Sequence, residues 1–459
     1  MHPLLVRTIV YPLHERLKGK DTFRWLRRLE ATQWWDPSRL AEAQLERLRE
    51  HLAWAQAHVP YYQRLFDSHG IHPEAIRSLE DFRRVPFLTR EHLRAHGPEL
   101  AARARLRGVQ RLATGGSTGA AVALLIDAER MGIGEGIRLR AHRWFGLEPG
   151  EREVVLWGSP IEVTRQDRVR ALRDRLINST LLSAFNMGEA QLAQYGRLIA
   201  EQAPAKMYGY ASAFALLAGY LGARGWTPPR GLKAIFTTAE PLFDFQRKTI
   251  EEVFRCRVAT EYGSRDAGLC ANECPAGSLH VPAEGIVVEI DGAGTDGIGE
   301  IVVTNLYSPA MPIIRYRTGD LGRLDPTLCP CGRGLPRLAS IEGRRTDFLV
   351  AADGRLLHAL SIIYILRDTP GLSRFRVVQE ALEDVTVQVA PVQALSEEGR
   401  RRLAERVRGL LGASVRVTVD PVSEILPEAS GKFRYVTSKV ADRFVGDLLA
   451  GAGNRVGPR

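Results

Sequence analysis

From about residue 109 to residue 254 the chain repeats one pattern: a short apolar run, then a longer stretch with apolar residues at helical spacing. EVVLWG (153–158), AKMYGY (205–210) and LKAIFTT (232–238) are too short for helices and rich in branched or aromatic side chains. ASAFALLAGYLGARG and FDFQRKTIEEVF, which follow the last two, read as amphipathic helices. Strands alternating with helices can pack in few ways: crossovers return each strand parallel to the last, and helices cover both sheet faces. The expected fold class is therefore α/β, with a largely parallel, helix-covered sheet.

The flanks differ in texture. Residues 1–105 are mostly helical in pattern: LAEAQLERLREHLAWAQAHV (40–59) keeps helical spacing until Pro60, and Thr89 suits an N-cap with Leu93 on the buried side. After residue 278, LHVPAEGIVVEI and GEIVVTNL flank the turn DGAGTDGIG and read as antiparallel strands of a small β subdomain. From about 346, strands at FRVVQ, DVTVQVA and SVRVTVD and a helix in SEEGRRRLAERVRGLLG predict a compact α+β unit. A chain of 459 residues exceeds one ordinary domain, so a large domain over 1–345 and a small one over 346–459 are expected.

The formal charge is +10, but the arginines are interspersed with acids, as in RALRDRLI, and no basic-aromatic motif suggests a nucleic-acid partner. No apolar run reaches the roughly 18 residues of a membrane span, so stable membrane insertion is not expected. LLVRTIVYPL (4–13) is broken by Arg7 and Pro12 and lacks a small-residue cleavage pattern, which predicts a docking helix rather than a signal. Five cysteines, an odd number, point to a reducing, cytoplasmic setting.

Residues 113–120, ATGGSTGA, place three glycines and three hydroxyls in one loop. Glycine backbones can turn N–H groups toward an anion, and the hydroxyls of Thr114, Ser117 and Thr118 add donors. A Walker loop would carry lysine after its last glycine and open a helix at once. Here Ala120 and Ala121 stand there, AVALLID is strand-like, and a helix begins after Asp127.

ATGGSTGAAV resembles the phosphate loop of the adenylate-forming, or acyl-CoA synthetase, superfamily, and further segments follow in that family's order. TTAEPL (237–242) looks like its adenine segment, TEYGSRDAG (260–268) like its Y-G-x-T-E segment, and YRTGDL (316–321) like its ribose signature. IEGRRTDFLV (341–350) is similar to its hinge, and PEASGKFRYV (427–436) to its C-terminal Ser-Gly-Lys loop. HVPYYQRLFDSHGIHPEAIRSLEDFRRVPFLTRE (58–91) and CPCGRGLPRL (329–338) resemble the phenylacetate–CoA ligases and CapK-type capsule-biosynthesis proteins within it.

The resemblance implies a large domain joined to a small mobile one, and an ATP-dependent activation of a carboxylic acid to acyl-AMP. Gly115, Gly116, Ser117, Thr118 and Gly119, with Thr114, would hold phosphates. Ala239, Glu240, Pro241, Glu261, Tyr262, Gly263 and Ser264 would frame the nucleotide. Asp320 would accept the ribose hydroxyls, Arg344 would contact ribose or phosphate, and Asp266 would hold Mg²⁺. Lys432 would be the catalytic cation, brought in by the small domain about Thr346 or Asp347. Its choice stands out in a chain with seven lysines among 63 basic residues; a compact ammonium and a planar guanidinium are not interchangeable at such a site. The chain departs from the family at Arg265-Asp266, where Thr-Glu is usual, so Arg265 would replace a phosphate-binding hydroxyl.

Cys274, His280, Cys329 and Cys331 offer the tetrahedral donor set of a closed, structural Zn²⁺ site, with Cys270 as substitute ligand and Cys256 as a core residue. Trp157, Tyr208, Tyr210 and Phe236 would suit an aryl or medium apolar acid, or would simply be core. The acyl acceptor is expected to be CoA; an amine or hydroxyl of a sugar, and a nucleotide-binding protein without catalysis, are the alternatives. The protein would be a monomer or a homodimer.

Overall fold

The computed structural model describes residues 1–114, 122–157, 173–184, 187, 189–344, 348–354, 356–358, 362–363, 365–366, 369, 372–391, 395–426 and 434–441. Helices dominate the first hundred of these, including Thr22–Thr32, Pro37–His58 and Pro60–His69. Asp36 caps the second by accepting from the Ser38 N–H, and the rigid Pro60 opens the third at a position where no N–H is needed. Thr89 caps Arg90–Ala95, whose Leu93 is buried.

An antiparallel hairpin, β1 (Gln110–Thr114) and β2 (Val122–Ile126), precedes the main sheet. Asp127 then caps the helix Ala128–Arg143. The next strands in chain order are β3 (Glu153–Trp157), β4 (Ser179–Ser183), β5 (Lys206–Gly209), β6 (Ala234–Thr238) and β7 (Arg257–Ser264). Then come β8 (Gly268–Glu273), β9 (Leu279–His280), β10 (Ile286–Asp291), β11 (Gly299–Asn305), β12 (Ile313–Asp325) and β13 (Arg337–Arg344). They form an 11-stranded sheet in the order β10-β11-β12-β13-β9-β8-β7-β6-β5-β3-β4.

Four of this sheet's ten strand pairings are parallel and six antiparallel. From β4 across to β7 neighbours run parallel; from β8 onward each pair is antiparallel. The strands expected to form a separate β subdomain are hydrogen-bonded to the parallel half through β7 and β8. Every residue of β6 is buried, the mark of a central strand covered on both faces. Separate cores back the two halves, one around Phe214, Ile235 and Phe254, the other joining the N-terminal helices to β10–β12.

Beyond residue 347 a small hairpin, β14 (Phe348–Val350) with β15 (Leu356–His358), precedes a four-stranded sheet. That sheet holds β16 (Leu372–Ala381), β17 (Asp384–Pro391), β18 (Arg416–Pro421) and β19 (Val436–Ser438), and the helix Glu397–Leu411 packs on it through Leu403, Val407 and Leu411. Phe243 and Phe245 of the large part pack against this third core.

Candidate active site and metal centre

The parallel strands β6 and β7 end beside one another, and ligands of α/β sheets bind at such carboxyl ends. Just past β6, Ala239 takes a left-handed backbone (φ +67°), which a non-glycine residue adopts only when its surroundings impose it. Next to it Glu240 accepts a hydrogen bond from the Ser212 N–H at 3.0 Å; Pro241 is exposed. In β7 the ladder shifts register at Tyr262/Gly263. A side chain on Gly263 would meet the Gly268 carbonyl at 2.4 Å, so glycine is required there.

Two segments fifty or more residues apart in sequence are tied by hydroxyl–carboxylate bonds. Tyr262 donates to Asp320 Oδ2 at 2.8 Å, and Tyr316 donates to Asp266 Oδ2 at 2.8 Å. Both tyrosine hydroxyls are pushed above their ordinary range, by burial first and by these carboxylates next. Asp320 stands opposite Arg344 in the β12–β13 register. Arg265 and Ser264 are exposed, and the Ser264 Oγ accepts from the Ala267 N–H.

Behind Asp266 lies a residue the sequence reading passed over. Arg130, buried on the helix after the hairpin, donates to the carbonyls of Arg265 (3.0 Å) and Asp266 (2.7 Å), while its Nη1 has no partner among the described residues. Burial pulls its guanidinium down to about 10. Its position three residues after the capping Asp127 was the available signal, but a helical arginine ordinarily reads as a solvated one.

Glu261 is buried at the end of a line of titratable groups. Its Oε1 lies 3.5 Å from His142 Nε2, and His142 Nδ1 lies 3.0 Å from the Lys206 ammonium. Lys206 pairs with Glu153 at 3.1 Å, Arg138 reaches Glu153 at 3.6 Å and Glu135 at 2.6 Å, and Tyr11 donates to Glu135. Burial raises the Glu261 carboxyl to about 7, opposed by the positive charge of Arg138. His142 is driven well below its ordinary value by burial and then by Lys206, so it stays neutral.

Of the expected acid-pocket residues, Tyr210 and Phe236 are buried in the core, and Phe236 stacks on His142 at 4.0 Å between ring centroids. Trp157 is half-buried and stacks on Tyr210 at 4.3 Å; Tyr208 is half-buried as well. Thr114 pairs with Val122, so the glycine loop joins the two arms of a hairpin. Gly115, Gly116, Ser117, Thr118 and Gly119, the hinge positions Thr346 and Asp347, and Lys432 lie outside the described residues. Tyr435, three residues beyond Lys432, is described: its ring packs against Phe243 at 6.1 Å and Phe375 at 5.2 Å. Burial, then the charge of Glu240, raises its hydroxyl to about 12.

On the antiparallel side, Cys274, His280, Cys329 and Cys331 bring their ligand atoms within 4.8 Å of one another. Cys274 Sγ lies 3.8 Å from Cys329 Sγ, and Cys331 Sγ lies 3.3 Å from His280 Nε2. A tetrahedral ion with bonds of ~2.3 Å to sulfur has sulfur–sulfur edges of roughly 3.8 Å, so the spacing fits zinc and is far too long for a disulfide. The other imidazole nitrogen, Nδ1, lies 3.4 Å from the Leu335 carbonyl, which orients the ring as second-shell partners of metal-bound histidines do. Gly332 (φ +81°) permits the turn that follows Cys331. Cys270 lies elsewhere: its thiol is buried, raised to about 12 by that burial and then by Asp320. Cys256 is half-buried against the second core.

The likeness extends along the chain. Over 434 residues it is 26% identical to a phenylacetate-coenzyme A ligase of Thermus thermophilus, covering 87% of this chain and 96% of that one. The chain is similar to phenylacetate–coenzyme A ligases over most of its length. Protein CapK of Staphylococcus aureus is a second relative, 21% identical over 406 residues, with 87% and 90% of the two chains covered. Residues 349–439 match the family model of the CapK C-terminal domain. Among solved structures, a 2-hydroxyisobutyryl-CoA ligase in the postadenylation state superposes with a TM-score of 0.70 at 22% identity, over 92% of this chain and 94% of that one. The same ligase in the thioesterification state gives 0.55, over 90% and 93%. The fold is that of the adenylate-forming CoA ligases.

Proposed function

We propose that this relative of the phenylacetate–CoA ligases is an ATP-dependent, AMP-forming acid ligase that passes its acyl group to CoA. The observation that carries the reading is the pair of bonds Tyr262–Asp320 and Tyr316–Asp266, which fix two carboxylates of the family's signature segments at the carboxyl ends of β6 and β7.

In the first step a carboxylate oxygen attacks the α-phosphorus of ATP; the new P–O bond forms as the bond to pyrophosphate breaks. In the second the CoA thiolate attacks the acyl carbon and AMP leaves. Charge develops on phosphoryl oxygens, so the protein's task is positioning and electrostatic stabilisation. Asp320, with two acceptor oxygens, would take both ribose hydroxyls, and Arg344 on the facing strand would approach ribose or phosphate. Ala239, Glu240, Pro241, Glu261, Tyr262, Gly263 and Ser264 would frame the base and sugar. Backbone N–H groups of 114–119 and the guanidinium of Arg265 would bind phosphates. Asp266, a buried carboxylate offering hard oxygen donors, suits Mg²⁺, which would neutralise charge on the departing pyrophosphate.

Lys432 would supply the ammonium to the reacting centre. The seat of Tyr435, three residues beyond Lys432, beside Phe243 and Glu240 of the adenine segment supports this. The lid (346–459) would turn about Thr346 or Asp347 between the first step and the second. Zn²⁺ held by Cys274, His280, Cys329 and Cys331 would leave no open position and would brace β8, β9 and the 329–332 turn. Trp157 and Tyr208, backed by Tyr210 and Phe236, suit an aryl or medium apolar acid.

The CapK match favours one second reading: transfer from acyl-AMP to an amine or hydroxyl of a sugar. ATP–pyrophosphate exchange across a panel of acids tests the common first step, and no exchange with any acid overturns the proposal. A CoA thioester found by mass spectrometry supports the first reading. Acylated amino sugar without thioester selects the second.

A further inference from the structure

The N-terminal helical stretch, built from Pro3–Leu5, a π turn over Val6–Val10 and Tyr11–Leu17, docks by one side and leaves the other in solvent. Val6, Tyr11 and Glu15 are buried. Tyr11 donates to Glu135, and Glu15 accepts from the Thr22 hydroxyl at 2.6 Å, so the helix is held firmly. On the outer side Leu4, Leu5, Ile9, Leu13 and Leu17 are 43–79% exposed. Residues 5, 9, 13 and 17 step by four; in an α-helix each such step drifts ~40° around the axis. The π turn gives fewer degrees per residue and takes back part of that drift, keeping the stripe on one side. Leu176 and Leu181 are exposed too, and Asn178 between them donates to the Met1 carbonyl, which joins their surface to the helix.

The charge near this stripe is mainly positive. Residues 1–28 hold seven lysines and arginines (Arg7, Arg16, Lys18, Lys20, Arg24, Arg27, Arg28) against two acids, Glu15 and Asp21; Arg7 pairs with Glu148 at 3.3 Å and Lys20 with the buried Glu15 at 3.6 Å. A second copy meeting the patch across a two-fold axis would set these cations against their own copies. Anionic phospholipid supplies both an apolar layer and the opposite charge. The stretch is too short to span a bilayer, since fifteen helical residues reach ~22 Å against a hydrocarbon core of ~30 Å.

We propose that this helix is an interfacial anchor that lies in the headgroup layer of an anionic membrane, apolar stripe inward and basic residues at the phosphates. The inference goes beyond the ligase reading and does not rest on it.

The test is flotation of the full-length protein with vesicles of phosphatidylcholine alone or with roughly 30% phosphatidylglycerol. Binding is expected with the anionic vesicles, falling on the order of tenfold or more in Ile9→Asp/Leu13→Asp and in Arg16→Glu/Lys18→Glu, with melting temperatures unchanged. Should the aspartate pair lower the melting temperature, Leu17→Asp, at the most exposed position of the stripe, replaces it. Wild-type protein that stays off anionic vesicles overturns the proposal, as does equal binding by folded variants. A dimer in light scattering that the aspartate pair dissociates, with no vesicle binding, overturns it in favour of a second copy.

Discussion

Tyr316 places its hydroxyl 2.8 Å from the Asp266 carboxylate, both side chains being buried, and so ties the strand that carries Asp320 to the turn after β7. Fifty residues separate them in sequence. The bond holds Asp266 from the front while Arg130 holds its carbonyl from behind.

If Asp266 faces the pyrophosphate end of ATP, Asp266→Asn should lower the rate of ATP–pyrophosphate exchange by on the order of 100-fold, as loss of an electrostatic stabiliser does elsewhere. Tyr316→Phe removes one charge-assisted hydrogen bond and should cost about tenfold. Equal exchange rates in both variants and wild type would count against the assignment.

Lys432→Met should depress adenylation by roughly 100-fold to 1000-fold, yet leave CoA-dependent consumption of supplied acyl-AMP close to wild type. Lys432→Arg should not restore the first step, because a guanidinium cannot occupy an ammonium's single point. Tyr435→Ala, which removes the ring packed against Phe243, should weaken adenylation by about tenfold. Single-turnover measurement of each half-reaction separates these outcomes.

The four-ligand cluster predicts one tightly bound zinc per chain by elemental analysis. Cys331→Ala or prolonged chelation should remove it and lower the melting temperature well beyond a surface substitution, since a structural zinc supplies several kcal/mol or more. Metal-free protein with unchanged melting would contradict the site.

Glu261 gives a pH signature. Its folded carboxyl sits at about 7, above the ~4.3 of an unfolded chain, so the native state holds the extra proton between those values. Stability contributed by this group is therefore full below the unfolded value and is lost as pH rises to about 7, amounting to roughly 4 kcal/mol. His142, neutral when folded, acts oppositely below ~6.5, so the wild-type profile mixes both. The difference between wild type and Glu261→Gln isolates the carboxylate: the variant should gain in relative stability from pH 5 to pH 8 in denaturant titrations. A pH-independent difference would refute the shift.

How the α/β stretch folds was legible in the sequence because each strand and helix advertises its own pattern: AIFTT is β-branched or aromatic at four of its five positions, and Asp244–Phe254 alternates at helical spacing. The site segments were legible for a related reason, since TEYGSRDAG and YRTGDL are contiguous and chemically distinctive. Spacing gave Cys274, His280, Cys329 and Cys331 as possible partners, but distances near 3.8 Å and 3.3 Å exist only once β9 lies between β8 and β13.

Arg130, the line from Tyr11 to Glu261 and the outward stripe of the first helix were not legible. A buried arginine and a solvated one look alike in sequence; what differs is the neighbouring chain that removes water. LLVRTIVYPL determined by itself that a helix with an apolar side would form. Which side faces the core was decided by Glu135, a residue on another helix that accepts from Tyr11 and leaves the leucines outside. Local periodicity sets the elements, whereas burial and charge partnership depend on contacts between residues far apart in the chain, and those arise only on folding.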